Sequence, residues 1–128
     1  MSEPSFLTLT EVLELHSLSL QRYGGAQGIR DAAGFEAAVE QPKHTFYYGN
    51  GDLFEVAAAY AFHIGQTQAC LDGNKRTAVA AALVFLQLNG VSAAFDSGEL
   101  YQFMIAIAER RAGKTELAEF FRKGASSE

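Results

Sequence analysis

The chain has no tryptophan, one cysteine and two prolines in 128 residues. A single thiol, Cys70, excludes a disulfide within the chain and suits a reducing cytoplasm. Basic residues are also scarce. Ten Lys and Arg stand against fifteen Asp and Glu, giving a net charge of -5 and a pI of about 5.2. A nucleic-acid binder usually carries a basic face. Here the basic residues cluster no further than in pairs, at Lys75-Arg76, Arg110-Arg111 and Arg122-Lys123, so broad nucleic-acid binding is not expected, while a local phosphate site stays open. The longest apolar run, Ala78 to Leu86, is too short to cross a bilayer. The N-terminus carries Glu3 and Pro4 where a secretory leader would have a basic start and an apolar run, so no leader is expected.

What is present is ordinary for a globular protein. Hydrophobic residues make up 48% and charged residues 20%, enough for one domain over 1–128 with a core that needs no disulfide or structural metal. Residues Met1 to Phe6 and Gly124 to Glu128 read as frayed ends. Thr8 with Glu11 fits a capping box that opens a first helix. Val12, Leu15, Leu18 and Leu20 form its apolar stripe, and Tyr23-Gly24-Gly25 stops it. A short helix over Ala32 to Glu40 follows, ended by Pro42. Residues Pro42 to Asp52 hold two glycines and an asparagine beside three aromatic residues, and read as a loop or small hairpin. Leu53 to Gln66 and Gly73 to Asn89 read as buried, alanine-rich helices. Val91 to Phe95 reads as a short extended piece. Asp96 with Glu99 starts another helix to about Arg111, and Thr115 to Lys123 makes a last one. The expected class is an all-α bundle of about six helices with a short hairpin or flap.

The informative segment is Cys70-Leu71-Asp72-Gly73-Asn74-Lys75-Arg76-Thr77-Ala78. A buried helix begins near Gly73, and its first N–H groups lack helical partners and carry partial positive charge. Such a start favours phosphate. Gly73 permits close approach of a ligand to the backbone. Arg76 can fork onto phosphate oxygens and Lys75 adds a point charge. Asp72 could hold a magnesium ion bridging phosphates. The plainer reading makes Asp72 an N-cap and Lys75 and Arg76 solvated charges. The glycine spacing of a Walker A loop is absent.

The run Leu71 to Ala78 resembles the second half of the Fic motif, and Lys75 gives it the look of the Doc (death-on-curing) branch. Further matches follow in order. Phe6-Leu7-Thr8 with Glu11-Val12-Leu13 is similar to the Doc start. Gly24-Gly25 and Gly28-Ile29-Arg30-Asp31 are similar to the first loop, and Pro42 with Thr45-Phe46 to the next. Phe85-Leu86 with Leu88-Asn89-Gly90 is similar to the end of the helix after the motif. The resemblance implies a helical Fic fold that binds ATP or a related nucleotide with magnesium. It implies transfer of AMP or, in the Doc branch, a terminal phosphate onto a hydroxyl of a target protein in translation, and a small antitoxin as partner. By the same resemblance Asp72 would hold magnesium. Gly73, Asn74 and Lys75 would line an anion hole, and Arg76 would grip phosphate. Thr45, Phe46, Tyr47 and Tyr48 would form a flap that positions the target.

The motif departs from the family upstream. The family's histidine, proline and phenylalanine positions hold Gln68, Ala69 and Cys70. The histidine is the family's general base, and an amide has no proton acceptor near neutral pH. General-base catalysis is worth on the order of 10²- to 10⁴-fold. Gln68 could orient a hydroxyl but not take its proton. His63, five residues earlier on the preceding helix, is turned away by about 500° and reads as a structural histidine. Cys70 reads as buried, not as a nucleophile. The implied protein is a cytoplasmic Doc-like toxin with impaired catalysis. The alternative is a non-catalytic module that binds nucleotide or antitoxin.

Overall fold

Side chains at the helix starts explain where most elements begin. The computed structural model describes residues 3–91 and 95–126, and among them runs six helices and no strand. These are α1 (Leu9–Tyr23), α2 (Ala32–Gly49), α3 (Leu53–Thr67), α4 (Asn74–Leu88), α5 (Ser97–Ala108) and α6 (Lys114–Ser126). Thr8 caps α1, accepting from the Glu11 N–H at 3.1 Å while Glu11 Oε1 accepts from the Thr8 N–H at 2.8 Å. Asp52 and Glu55 repeat this box on α3. Asp31 caps α2 through the Gly34 N–H, and Asp96 caps α5 through the Glu99 N–H. The all-α reading holds, and both capping signals read from α1 and α5 are where expected.

The bundle is built around α3, which packs on α4, α2, α6 and α5. Ala57, Ala58, Ala59 and Ala61 of α3 and Ala78, Ala81 and Ala82 of α4 are all buried. Such small side chains let the two backbones approach closely, and Phe85, Tyr60, Ile64 and Phe121 fill the space around them. Tyr60 is fully buried, and its hydroxyl accepts the Leu7 N–H at 2.8 Å. Burial pushes its phenol up to about 12. No described helix is long and apolar enough to cross a membrane.

Three expectations are corrected. The helix expected to end before Pro42 runs through it to Gly49, so 42–49 is neither loop nor hairpin. Proline costs one backbone hydrogen bond inside a helix. Here Pro42 is buried and Phe46 packs on the core, so tertiary contacts hold both halves in line. The helix ends instead where Asn50 turns left-handed (φ 53°). On α1, Leu18 is 58% exposed, and the buried positions are Val12, His16 and Ser19. The N-terminus is pinned at Ser5, whose N–H donates to Asn89 Oδ1 at 2.7 Å, and at Phe6, which stacks on Phe85. Helix α6 likewise continues past Gly124. The remaining end residues (1, 2, 127 and 128) and positions 92–94 of the expected extended piece lie outside the described residues.

Candidate phosphate site

Helix α4 starts without a side-chain cap. Its N-cap is Gly73, in the left-handed region at φ 81° and ψ 12°. The Thr77 N–H is the first to bond back, to Gly73 O at 2.9 Å, which leaves the N–H groups of Asn74, Lys75 and Arg76 without helical acceptors. A left-handed residue followed by a helical one turns successive N–H groups toward a common point, a concavity that suits anions. A non-glycine residue at 73 would be strained by that φ.

Asp72 does not cap α4. Its Oδ2 accepts the Ala26 N–H at 2.7 Å, from the loop between α1 and α2. Arg76 reaches the same segment. Its Nε donates to Ser19 Oγ and its Nη2 to Gly24 O, both at 2.9 Å, and its guanidinium lies 5.3 Å from the Tyr23 ring centroid. Both charged side chains are therefore held by neutral groups, and among the described residues neither forms an ion pair. The Asn74 side chain is committed elsewhere. It donates to Cys70 O at 2.8 Å and accepts from the Cys70 N–H at 3.0 Å, which closes the turn. Asn74 can offer an anion only its own N–H. Lys75 is exposed beside Arg76.

The loop between α1 and α2 is fastened along the segment that leads into α4. The Arg30 and Asp31 N–H groups donate to Ala69 O at 2.8 and 3.2 Å, and the Leu71 N–H donates to Gly28 O at 3.1 Å. Ile29 and Cys70 form an antiparallel bridge. Gly25 (φ 124°) lies so close that a Cβ there would stand 3.0 Å from Asp72 Cβ.

The remaining upstream residues divide clearly. Gln68 is exposed, left-handed (φ 46°) and the C-cap of α3. Cys70 is fully buried, and burial pushes its thiol up, away from the reactive thiolate. His63 faces α6, where Lys114 Nζ lies 3.1 Å from its Nε2. Burial, with the Lys114 charge second, lowers it to about 4, so it is a neutral structural histidine at pH 7.

The structure does not bring the expected flap to this site. Phe46 and Tyr47 pack against Phe6, which stacks on Phe85. Phe85 lies twelve residues along α4 from Gly73, or about 18 Å at 1.5 Å per residue. Thr45 Oγ1 donates to Gln41 O within α2, and Tyr48 is 83% exposed beside His44. The physical reason is the path of the chain. Because α2 continues to Gly49, residues 45–48 arrive beside the start of α3, at the opposite end of the bundle. The loop that borders the site is Gly24 to Asp31. Sequence reading also missed His16, Ser19 and the Gly24 carbonyl. Nothing in the sequence singles them out, because α1 also carries Thr10, Glu11, Glu14, Ser17, Gln21 and Arg22.

A metal would find one carboxylate here. Among the described residues no three His, Cys, Asp or Glu side chains converge. Magnesium typically takes one or two carboxylates and completes its shell with water and phosphate oxygens, so Asp72 fits it only together with a phosphate ligand. Beside Lys75 and Arg76 opens a groove of about 1070 Å³ between α1, α4 and α5. Leu15, Leu18, Val79 and Leu83 line it, with Arg22, Lys75 and Arg76 as the only charged side chains among the described residues that line it.

A sequence model of the Fic/DOC family matches residues 6–86. The chain belongs to the Fic/DOC family. The matched region runs from three residues before α1 through most of α4, and so covers the segment 68–76 and the partners on α1 that hold it. Among characterised Fic/DOC relatives, "Protein kinase doc" of Escherichia phage P1 is 35% identical over 114 residues, covering 88% of this chain and 90% of that protein. "Toxin Doc" of Mycolicibacterium smegmatis (strain ATCC 700084 / mc(2)155) is 37% identical over 109 residues, covering 82% of each.

Proposed function

We propose that this chain is the toxin of a Doc-type toxin–antitoxin pair, with a nucleotide-binding site at the start of α4 and with impaired transfer chemistry. The observation that carries the reading is the state of Asp72 and Arg76. Neutral groups fix both at an uncapped helix start, so both charges remain available to a ligand. The names of the two relatives, a protein kinase and a toxin, support this class of activity.

In this reading the triphosphate of ATP, or of a related nucleotide, lies on the free N–H groups of 73–75. Arg76 and Lys75 oppose its charge. Asp72 would hold a magnesium ion, which supplies charge neutralisation when bound to the phosphates. The loop Gly24 to Asp31 borders the reacting end, where a hydroxyl of a protein target in translation would enter. Gln68 can orient that hydroxyl by hydrogen bonding. It cannot accept the proton, which lowers the rate by on the order of 10²- to 10⁴-fold against a histidine. The antitoxin occupies the groove between α1, α4 and α5. Three cations and no acidic side chain line that groove in a chain of net charge -5, which favours an acidic amphipathic helix. The pair acts in the cytoplasm, where translation and ATP are found.

A second reading has its own observation. Gln68 stands where the base would be, so the chain could bind nucleotide and antitoxin with no chemistry. Incubation with cell extract and ATP labelled at the α or γ position separates the two. The Gln68→His variant is expected to label a target protein at least 10²-fold faster than the unaltered chain. Transfer of γ label indicates phosphoryl transfer, and transfer of α label indicates AMP transfer. No labelling by Gln68→His would sink the enzymatic reading and leave the binding module.

A further inference from the structure

His16 lies on α1, 56 positions before Asp72 in sequence, and is 5% exposed. Its Nε2 is 2.8 Å from the Asp72 carbonyl oxygen. A carbonyl only accepts, so the imidazole donates, from either the neutral Nε2–H tautomer or the cation. The peptide that follows Asp72 is trans. In a trans peptide the C=O and N–H point in opposite directions. Fixing the Asp72 oxygen toward α1 therefore fixes the Gly73 N–H away from it.

That orientation matters because Gly73 opens the concavity at the start of α4. Glycine populates both signs of φ, so nothing in its own chemistry stops this peptide from turning over. Turned over, it would present the Asp72 carbonyl oxygen, a partial negative charge, where an anion must lie. We propose that His16 is a positioning residue that locks the Asp72–Gly73 peptide with its N–H toward the bound phosphate. The proposal rests on the reading of α4 as a phosphate site. It also accounts for polar residues on the buried face of α1. His16 sets the peptide, and Ser19, buried one turn on, sets Arg76.

The test uses the intact chain with magnesium-ATP and inorganic pyrophosphate as separate probes. Affinities come from calorimetry and the Gly73 to Lys75 amide signals from NMR. His16→Gln keeps an N–H donor at similar reach, and His16→Met fills similar space without one. The Met variant is expected to bind pyrophosphate about tenfold more weakly, the scale of one hydrogen bond, and to shift the Gly73 amide. The Gln variant is expected to stay close to the unaltered chain in both. A merely structural histidine would lower the melting temperature in the Met variant without moving affinity. Should the Met variant not fold, His16→Asn, whose amide falls short of the carbonyl, carries the same expectation. Equal affinities for His16→Met and the unaltered chain would overturn the positioning role and leave the nucleotide reading intact. Pyrophosphate binding that depends on His16, without ATP binding, would do the reverse. Binding of neither anion would overturn both.

Discussion

Two seams of this bundle use charged side chains in opposite ways. Where α6 meets α3, charges answer one another. Arg122 lies 2.6 Å from Asp52 and 2.6 Å from Glu119, with its guanidinium 5.6 Å from the Phe54 ring centroid. Where α1 meets α4, Arg76 and Asp72 are held as firmly but by a hydroxyl, a carbonyl and an N–H. The first arrangement neutralises its charges within the protein. The second fixes charges in place and leaves them uncompensated. Four helices begin with a side-chain cap, at Thr8, Asp31, Asp52 and Asp96, whereas α4 begins at Gly73 with none. A sequence that places a side-chain cap on four of its helix starts and leaves this one open has departed from stability where binding is proposed.

The sharpest way to break the comparison is to remove one arginine from each seam. Arg76→Ala should weaken magnesium-ATP binding by about 50-fold, the loss of charge-assisted hydrogen bonds to phosphate, and lower stability by about 1 kcal/mol through its lost bonds to Ser19 and Gly24. Arg122→Ala should leave that affinity unchanged and lower stability by about 1 kcal/mol, since its ion pairs are partly exposed. Calorimetry and urea unfolding on both variants read the contrast in binding at similar cost in stability. If Arg76→Ala costs stability and spares binding, the two seams do not differ as described.

A second test is acid. On the α3–α6 seam, the folded chain holds His63 at about 4, against an ordinary 6.5. As pH falls, the unfolded chain takes up this proton first. The stability gained from a neutral ring is complete above about 6.5 and is lost progressively toward 4. The loss should reach about 2 kcal/mol by pH 4.5 and be absent in His63→Gln. Burial alone would raise the Asp52 carboxyl, but hydrogen bonds from Arg122 and the Glu55 N–H, with the Arg122 charge, outweigh it and hold it below 3.8. Its contribution is lost only at lower pH, so unfolding curves between pH 7 and 4.5 report on His63. An unchanged pH slope in His63→Gln would show that the ring is not the acid-sensitive part of this seam.

Much of this architecture was legible because it rests on local chemistry. Thr8 with Glu11 and Asp96 with Glu99 are capping pairs three residues apart, and alanine runs at helical spacing mark α3 and α4. What could not be read was long-range. Nothing near Pro42 tells that Phe46 will find Phe6 and carry the helix onward. Without that, the sequence does not show that residues 45–48 lie on α2 against Phe6 and away from Gly73. At the candidate site, the open helix start after Gly73 was legible in the run Asp72 to Arg76, but the partners of Arg76 are 57 and 52 positions away in sequence. The apolar-stripe rule also misassigned α1. It sought leucines on the buried face, and two of the residues there, His16 and Ser19, are polar because they meet the start of α4.

The smallest expected effect bears on the residue that decides between catalysis and binding. Gln68 is exposed and left-handed at the end of α3, a conformation that costs a non-glycine residue roughly 1 to 2 kcal/mol. Among the described residues no partner binds its amide, so Gln68→Gly removes strain and no contact. Glycine also loses more chain entropy on folding, which offsets roughly 0.5 to 1 kcal/mol of the gain. The variant should therefore be more stable by about 0.5 kcal/mol in urea unfolding. That gain would mean that the Gln68 side chain contributes nothing to the fold and acts only on what binds beside it. A loss of stability would instead tie Gln68 to the α3 terminus. The proposed site would then lack even a group to orient the attacking hydroxyl, and the non-catalytic reading would be the stronger one.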